Sequence, residues 1–178
     1  MLLIGASAGL WYIWRRNRSA AVDPVIITYP NDMSTNQNLP RGYRNNNPLN
    51  IRYSFANAWK GKVLPNTDGA FEQFRDMAYG YRAALYLLRK YITKYGCNTV
   101  RKIISKWAPP TENNTEAYIQ HVCQFADLLP DMAVTANDAD TLTKMAYAMS
   151  IIENGQTDET RAAGLPNMEI IYEGWRLL

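Results

Sequence analysis

Glu153 is the residue of this 178-residue chain best placed for acid chemistry. Counting about 100° per residue, it falls roughly 20° from the centre of the apolar stripe formed by Leu142, Met145, Ala146 and Met149. It also falls in the last turn of the predicted helix, just before Asn154-Gly155, where the negative end of the helix dipole disfavours a carboxylate. Desolvation acts in the same direction, so both effects predict a raised pKa, as protonation of a leaving oxygen near neutral pH requires. The position also suits a solvated or salt-bridged carboxylate just past the packed face, and the residues alone favour that reading.

Glu72, in Phe71-Glu-Gln-Phe74, is the second candidate carboxylate. If it opposes Glu153, their separation distinguishes retaining from inverting glycoside chemistry. Contact with substrate or an arginine, or plain exposure on a strand, fits the residues as well. Other chemistries have less to work with. His121 is the only histidine and has no carboxylate at zinc-site spacing, so neither a metal nor a cofactor is expected. Cys97 and Cys123 read as small core residues, and His121 and Cys123, two apart on a predicted helix, do not face each other.

The binding candidates lie earlier, in Arg41-Gly-Tyr-Arg-Asn-Asn-Asn-Pro-Leu-Asn-Ile-Arg52. Three asparagines before a proline belong in a loop. Side-chain amides that both donate and accept suit a glycan better than an apolar ligand, which makes Asn46, Asn47 and Asn50 the leading candidates. Arg52, Tyr53, Trp59, Phe74 and Tyr118 complete the expected substrate-binding set. Aromatic residues, Tyr43 and Trp107 included, can stack on sugars, although burial is their commoner fate. A loop whose asparagines bond their own backbone is the alternative for the amides. Glu112 reads first as a helix cap.

These side chains need positioning elements. Residues 50–74 carry short β-branched or aromatic pieces broken by Gly61, Pro65 and Asn66-Thr-Asp-Gly69, which predict a small sheet or hairpin. Beyond them the pattern is helical. Tyr81, Ala84, Leu85, Leu88, Ile92 and Tyr95 recur at three- and four-residue steps before Gly96. Further helices are predicted over Val100–Trp107, over Glu116–Ala126 with Thr115 as N-cap, around Leu142–Ile152, and over Asn167–Leu177. The fold class is therefore α+β, mainly α.

The order and spacing of Arg-Gly-x-x-Asn-Asn-Asn-Pro-x-Asn-Ile-Arg, Trp59-Lys-Gly61, Phe-Glu-Gln-Phe, Trp107-Ala-Pro-Pro-Thr-Glu-Asn-Asn-Thr115 and Ile151-Ile-Glu-Asn-Gly155 resemble phage virion-associated murein-degrading proteins of lysozyme-like fold. The resemblance covers residues 41–178. It implies a peptidoglycan hydrolase of the lytic transglycosylase or muramidase kind that cuts the glycan strand as a phage penetrates its host, with Glu153-Asn-Gly matching the turn that carries a catalytic glutamate. In the related glucosaminidases the acid precedes the Asn segment, whereas here residues 19–40 hold no glutamate; a circularly permuted core would reconcile the two. The rival readings are a muralytic endopeptidase and a non-enzymatic virion structural protein.

Residues 2–14 are uncharged, end in Trp11-Tyr-Ile-Trp14 and are followed by Arg15, Arg16 and Arg18. Thirteen helical residues reach roughly 20 Å, short of a ~30 Å hydrocarbon core unless aromatic and arginine flanks help. Residues 1–16 are expected to be a single-pass membrane anchor, ahead of a signal peptide or an interfacial helix, with residues 17–40 as a linker. Expected partners are bacterial peptidoglycan, membrane lipid through residues 2–16, and other virion proteins. Net charge is +3, and no basic run extends past Arg18, so no specific nucleic-acid footprint is expected.

Overall fold

A computed structural model of the chain describes residues 33–178. The expected anchor and the linker as far as residue 32 lie outside the described residues. Residues 33–40 are part of the packed domain rather than a free tether: a 3-10 turn, Met33–Thr35, leads into the first helix, and Met33 and Leu39 are buried. Among the described residues, no helix is long and apolar enough to cross a membrane.

Seven helices follow: α1 (Arg41–Arg44), α2 (Met77–Tyr95), α3 (Val100–Trp107), α4 (Thr115–Ala126), α5 (Ala139–Asn154), α6 (Asp158–Ala162) and α7 (Met168–Arg176). The fold is mainly α. The sheet expected between residues 50 and 74 is reduced to isolated antiparallel bridges, Arg52 with Phe71 and Lys62 with Phe74. Asparagine and glycine at the turns leave too few consecutive extended residues for a ladder.

Helix starts are set by side chains that accept otherwise unpaired N–H groups. Asp76 accepts from Ala78 and Tyr79 at the head of α2, and Thr99 from Lys102 at the head of α3. At α4 the cap is Asn114, not Thr115; the Thr115 hydroxyl is buried and donates to the Ala108 carbonyl instead, tying α4 back to the end of α3. The short helices α1 and α6 carry too little apolar periodicity to be read from sequence.

The core is built around α5, which packs against α1, α2, α4 and α7. Leu142, Met145, Ala146 and Met149 are all inaccessible to solvent, as the periodicity predicts. So are Thr143 and Ser150, whose hydroxyls donate to carbonyls of α5 itself, so burying them leaves no unmet donor. Ser150 also shares a 3.1 Å hydrogen bond with the buried Tyr81 hydroxyl, joining α5 to α2.

Gly80 lets α2 press against the asparagine loop. A Cβ there would collide with the Asn46 carbonyl and sit 2.8 Å from Pro48 Cδ. An alanine in mid-helix ordinarily gains about 1 kcal/mol over glycine. Gly80→Ala is expected to reverse that sign and lower stability by about 1–3 kcal/mol through overpacking. Denaturant unfolding measures it; a midpoint equal to or above that of the unaltered protein contradicts the packing described.

Candidate active site

The loop after α1 supports the site, and side-chain amides hold it. Asn47 is inaccessible to solvent; its Nδ2 donates to the carbonyls of Ile51 and Glu72 at 2.9 and 3.0 Å, and its Oδ1 accepts from the Ile51 amide. Asn46 donates to the Phe74 carbonyl, and Asn45 to Asp68. Asn46 and Asn50 both adopt φ 50°, a left-handed conformation that asparagine tolerates better than most residues. Asn46 and Asn47 thus bond the protein's own backbone and are withdrawn from ligand. Asn50 alone of the expected amides lines the cleft.

That cleft, about 370 Å³, also takes in Arg52, Phe71, Tyr91, Trp107, Glu112 and Glu153. Its aromatic wall continues outward, with Tyr91 6.5 Å from Trp107 and 6.3 Å from Tyr95 between ring centroids. Glu153, half-buried in the last turn of α5, receives donors from three other parts of the chain. Tyr118 of α4 donates its hydroxyl to Oε1 at 3.0 Å, Trp107 of α3 its indole N–H to Oε1 at 3.3 Å, and Asn50 its amide to Oε2 at 3.2 Å and to the Glu153 carbonyl at 3.1 Å. Burial, with the Glu153 charge and the hydrogen bond to it, pushes the Tyr118 hydroxyl well above the ordinary tyrosine range. It therefore remains a donor throughout the physiological range. Asn154 adds a second clamp, donating to the Pro48 carbonyl at 2.7 Å.

Gly42 explains the first part of the Arg-Gly motif. A Cβ at Gly42 would lie 2.7 Å from Asn50 Oδ1 and would overlap Asn154 Oδ1. Only a residue without a side chain lets α1 approach the two amides that bracket Glu153 in space.

The remaining candidates take other positions. Glu72 is inaccessible, paired with Lys62 at 3.0 Å, and accepts from the Ser54 amide; it does not line the cleft and is neither a second catalytic carboxylate nor an exposed one. Lys62 also donates to the Ser54 and Asn57 carbonyls and lies 4.6 Å from the Tyr53 ring centroid, so Tyr53 belongs to this buried pair. Trp59 packs edge-on against Tyr86, and Phe74 is core. Tyr118 is buried and touches Glu153, so it positions the carboxylate rather than presenting a face to ligand. Of the expected binding set, Asn50 and Arg52 line the cleft. Phe71, Tyr91, Glu112 and Asn113 join them; Glu112, expected first as a helix cap, leaves that role to Asn114, and sequence reasoning singles out none of the other three individually for binding. Leu87 and Tyr91, four apart and beside the buried stripe of α2, were the available signal for the cleft wall.

Asp68 anchors the far side of the loop. Desolvation pushes its carboxyl up, but hydrogen bonds from Arg41, Asn45 and the Phe71 and Ala70 amides outweigh that effect and hold it well below the usual carboxylate range.

Two outcomes follow from these placements. Removing one member of a buried pair leaves the other charge uncompensated, so Glu72→Gln is expected to cost about 3 kcal/mol of stability. Its unfolding midpoint measures this, and a midpoint unchanged from the parent protein contradicts a structural role. For Asp68, the unfolded carboxyl binds protons more readily than the native one, so the stability it contributes is complete above about pH 4 and declines as pH falls through the unfolded and then the native pKa. Asp68→Asn should accordingly flatten the acid limb of stability against pH, as followed by thermal unfolding from pH 6 to pH 2.

No family model matches the sequence. Protein P5 of Pseudoalteromonas phage PM2 is 38% identical to it over 122 residues, which span 67% of this chain and 74% of that protein. With identity at that level over most of both sequences, the chain belongs to the family of the phage protein P5.

Proposed function

We propose that the chain is a virion-associated peptidoglycan hydrolase of lysozyme-like fold that cleaves the murein glycan strand as a phage penetrates the cell, by lytic transglycosylase or muramidase chemistry. The observation that carries this reading is Glu153, a half-buried carboxyl at a helix end, held by three donors inside an open cleft with an aromatic wall. Aromatic rings offer flat apolar faces to pyranose rings, and a positioned carboxyl supplies the proton that a glycosidic oxygen needs as it leaves. Contact between Asn50 and Glu153 supports a permuted arrangement in which the acid-bearing helix follows the asparagine loop. The phage origin of protein P5 supports the setting. The apolar residues 2–14 with Arg15, Arg16 and Arg18 supply the membrane attachment in this reading.

Glycan cleavage is favoured over peptide cleavage. Cys123 is buried on α4, outside the cleft lining, and burial pushes its thiol up, which is the reverse of what a nucleophilic thiolate needs. Tyr118 and Trp107 fix one oxygen of Glu153, and Asn50 fixes the other, so the carboxyl plane is set before substrate binds.

Glu153→Gln tests the reading. Glutamine keeps a carbonyl for Tyr118 and Trp107 while losing the transferable proton and the Oε2 acceptor of Asn50, which retains the backbone carbonyl of residue 153, so the fold should persist by circular dichroism. Release of fragments from purified murein, identified by mass spectrometry, is expected to fall about a hundredfold or more. Cleavage at the rate of the unaltered protein would remove Glu153 from the chemistry, and absence of glycan fragments from the unaltered protein would favour a binding or structural role.

A further inference from the structure

Two guanidinium groups flank the Phe71 ring, Arg41 at 4.6 Å and Arg52 at 4.7 Å from its centroid, and their circumstances differ. Arg41 is clamped by both oxygens of Asp68 at 2.6 and 2.7 Å. Arg52 is exposed, and its guanidinium makes no hydrogen bond or ion pair with any described residue. Its backbone is nonetheless fixed, by the bridge to Phe71 and by the neighbouring Tyr53 amide, which donates to the Ala70 carbonyl at 2.9 Å. Arg52 is also the one Lys or Arg among the residues that line the cleft, where it stands with Glu112 and Glu153.

The electrostatic consequence is specific. Without Arg52 the charged side chains of the cleft lining are both carboxylates, and an anionic ligand would meet repulsion alone. With it, the cleft offers a guanidinium whose donors are uncommitted, steadied against an aromatic face and suited to two-pronged recognition of a carboxylate.

Resting on the murein-hydrolase reading, we propose that Arg52 is a specificity residue that receives a carboxylate of the glycan strand, so that the cleft prefers carboxylate-bearing murein to uncharged chitin. That carboxylate has two sources in murein: the stem peptide, or the lactyl group of muramic acid exposed when the peptide is absent.

The test is sedimentation binding of the Glu153→Gln protein, and of the same protein with Arg52→Ala or Arg52→Lys, to three insoluble polymers: intact murein, murein stripped of stem peptides by an amidase, and chitin. Arg52→Ala should weaken binding to carboxylate-bearing polymer about tenfold, the scale of a hydrogen bond to a charged group. Loss on chitin should be much smaller, and Arg52→Lys should recover part of the affinity. Raising the salt concentration should weaken the Arg52 protein more than the alanine variant. A loss confined to intact murein assigns the stem peptide, a loss confined to stripped murein assigns the lactyl carboxylate, which is tied up as an amide until the peptide is removed, and a loss on both shows that Arg52 receives either. Equal loss on all three polymers, or no Arg52-dependent binding to murein, overturns the proposal. Fragment release is measured alongside for the unaltered protein and for a single Arg52→Ala variant that keeps Glu153. Arg52-dependent binding without cleavage overturns the hydrolase reading alone, and cleavage that is indifferent to Arg52 overturns the specificity role alone.

Discussion

The amide of Asn47 is the constraint on which the cleft depends. Residues 50–74 would ordinarily satisfy their backbone groups in a ladder, but only isolated bridges form there. A buried chain segment with unmet N–H and C=O groups is costly. Asn47 supplies what the ladder does not, accepting from the Ile51 amide and donating to the carbonyls of Ile51 and Glu72 from a position without solvent contact. Asn46 extends the same function to the Phe74 carbonyl, and Asn45 donates to the Asp68 carboxylate. An asparagine side chain is a peptide group on a short stem, so three in succession can knit two loops together without the extended geometry that a strand requires.

This knitting has a direct effect on the carboxyl. With Asn47 fixing Ile51 and Gly42 making room beside it, Asn50 is held in a left-handed conformation that aims its amide at Glu153. The other donors come from α3 and α4, which are tied to each other by the Thr115 hydroxyl on the Ala108 carbonyl. Glu153 is thus oriented by elements separated by up to 103 residues in sequence, and its position depends on the whole helical core. Such a carboxyl loses little orientational freedom when a ligand arrives, because the protein has already restricted it.

The two loop ion pairs do different work. Lys62 and Glu72 are shielded from solvent, and each is also hydrogen-bonded to backbone, so the pair fixes the loop between residues 53 and 62. Arg41 is about half exposed and ties α1 to Asp68 at the margin of the same region. A glutamate in an aromatic motif can therefore be a structural counter-ion, and its burial with a lysine separates that role from the half-buried, cleft-lining state of Glu153.

The sequence by itself determined the mainly helical class, the bounds of α2, α3 and α5 to within a few residues, and the placement of Glu153 beside the apolar stripe, because the 3.6-residue period, the closing Gly96 and Gly155, and the Pro109-Pro110 pair after α3 are local signals. It also marked the asparagine run as a loop. Tertiary structure alone decided which amides face the cleft: Asn47 turned inward because a ladder was missing elsewhere, and Asn50 turned to Glu153 because α1 could approach closely at Gly42. It likewise sent Glu72 to Lys62 and gathered Phe71, Tyr91 and Trp107 around one cleft. Residue type and spacing state what a side chain can bond, whereas the partner it meets is set by packing between segments far apart in the chain.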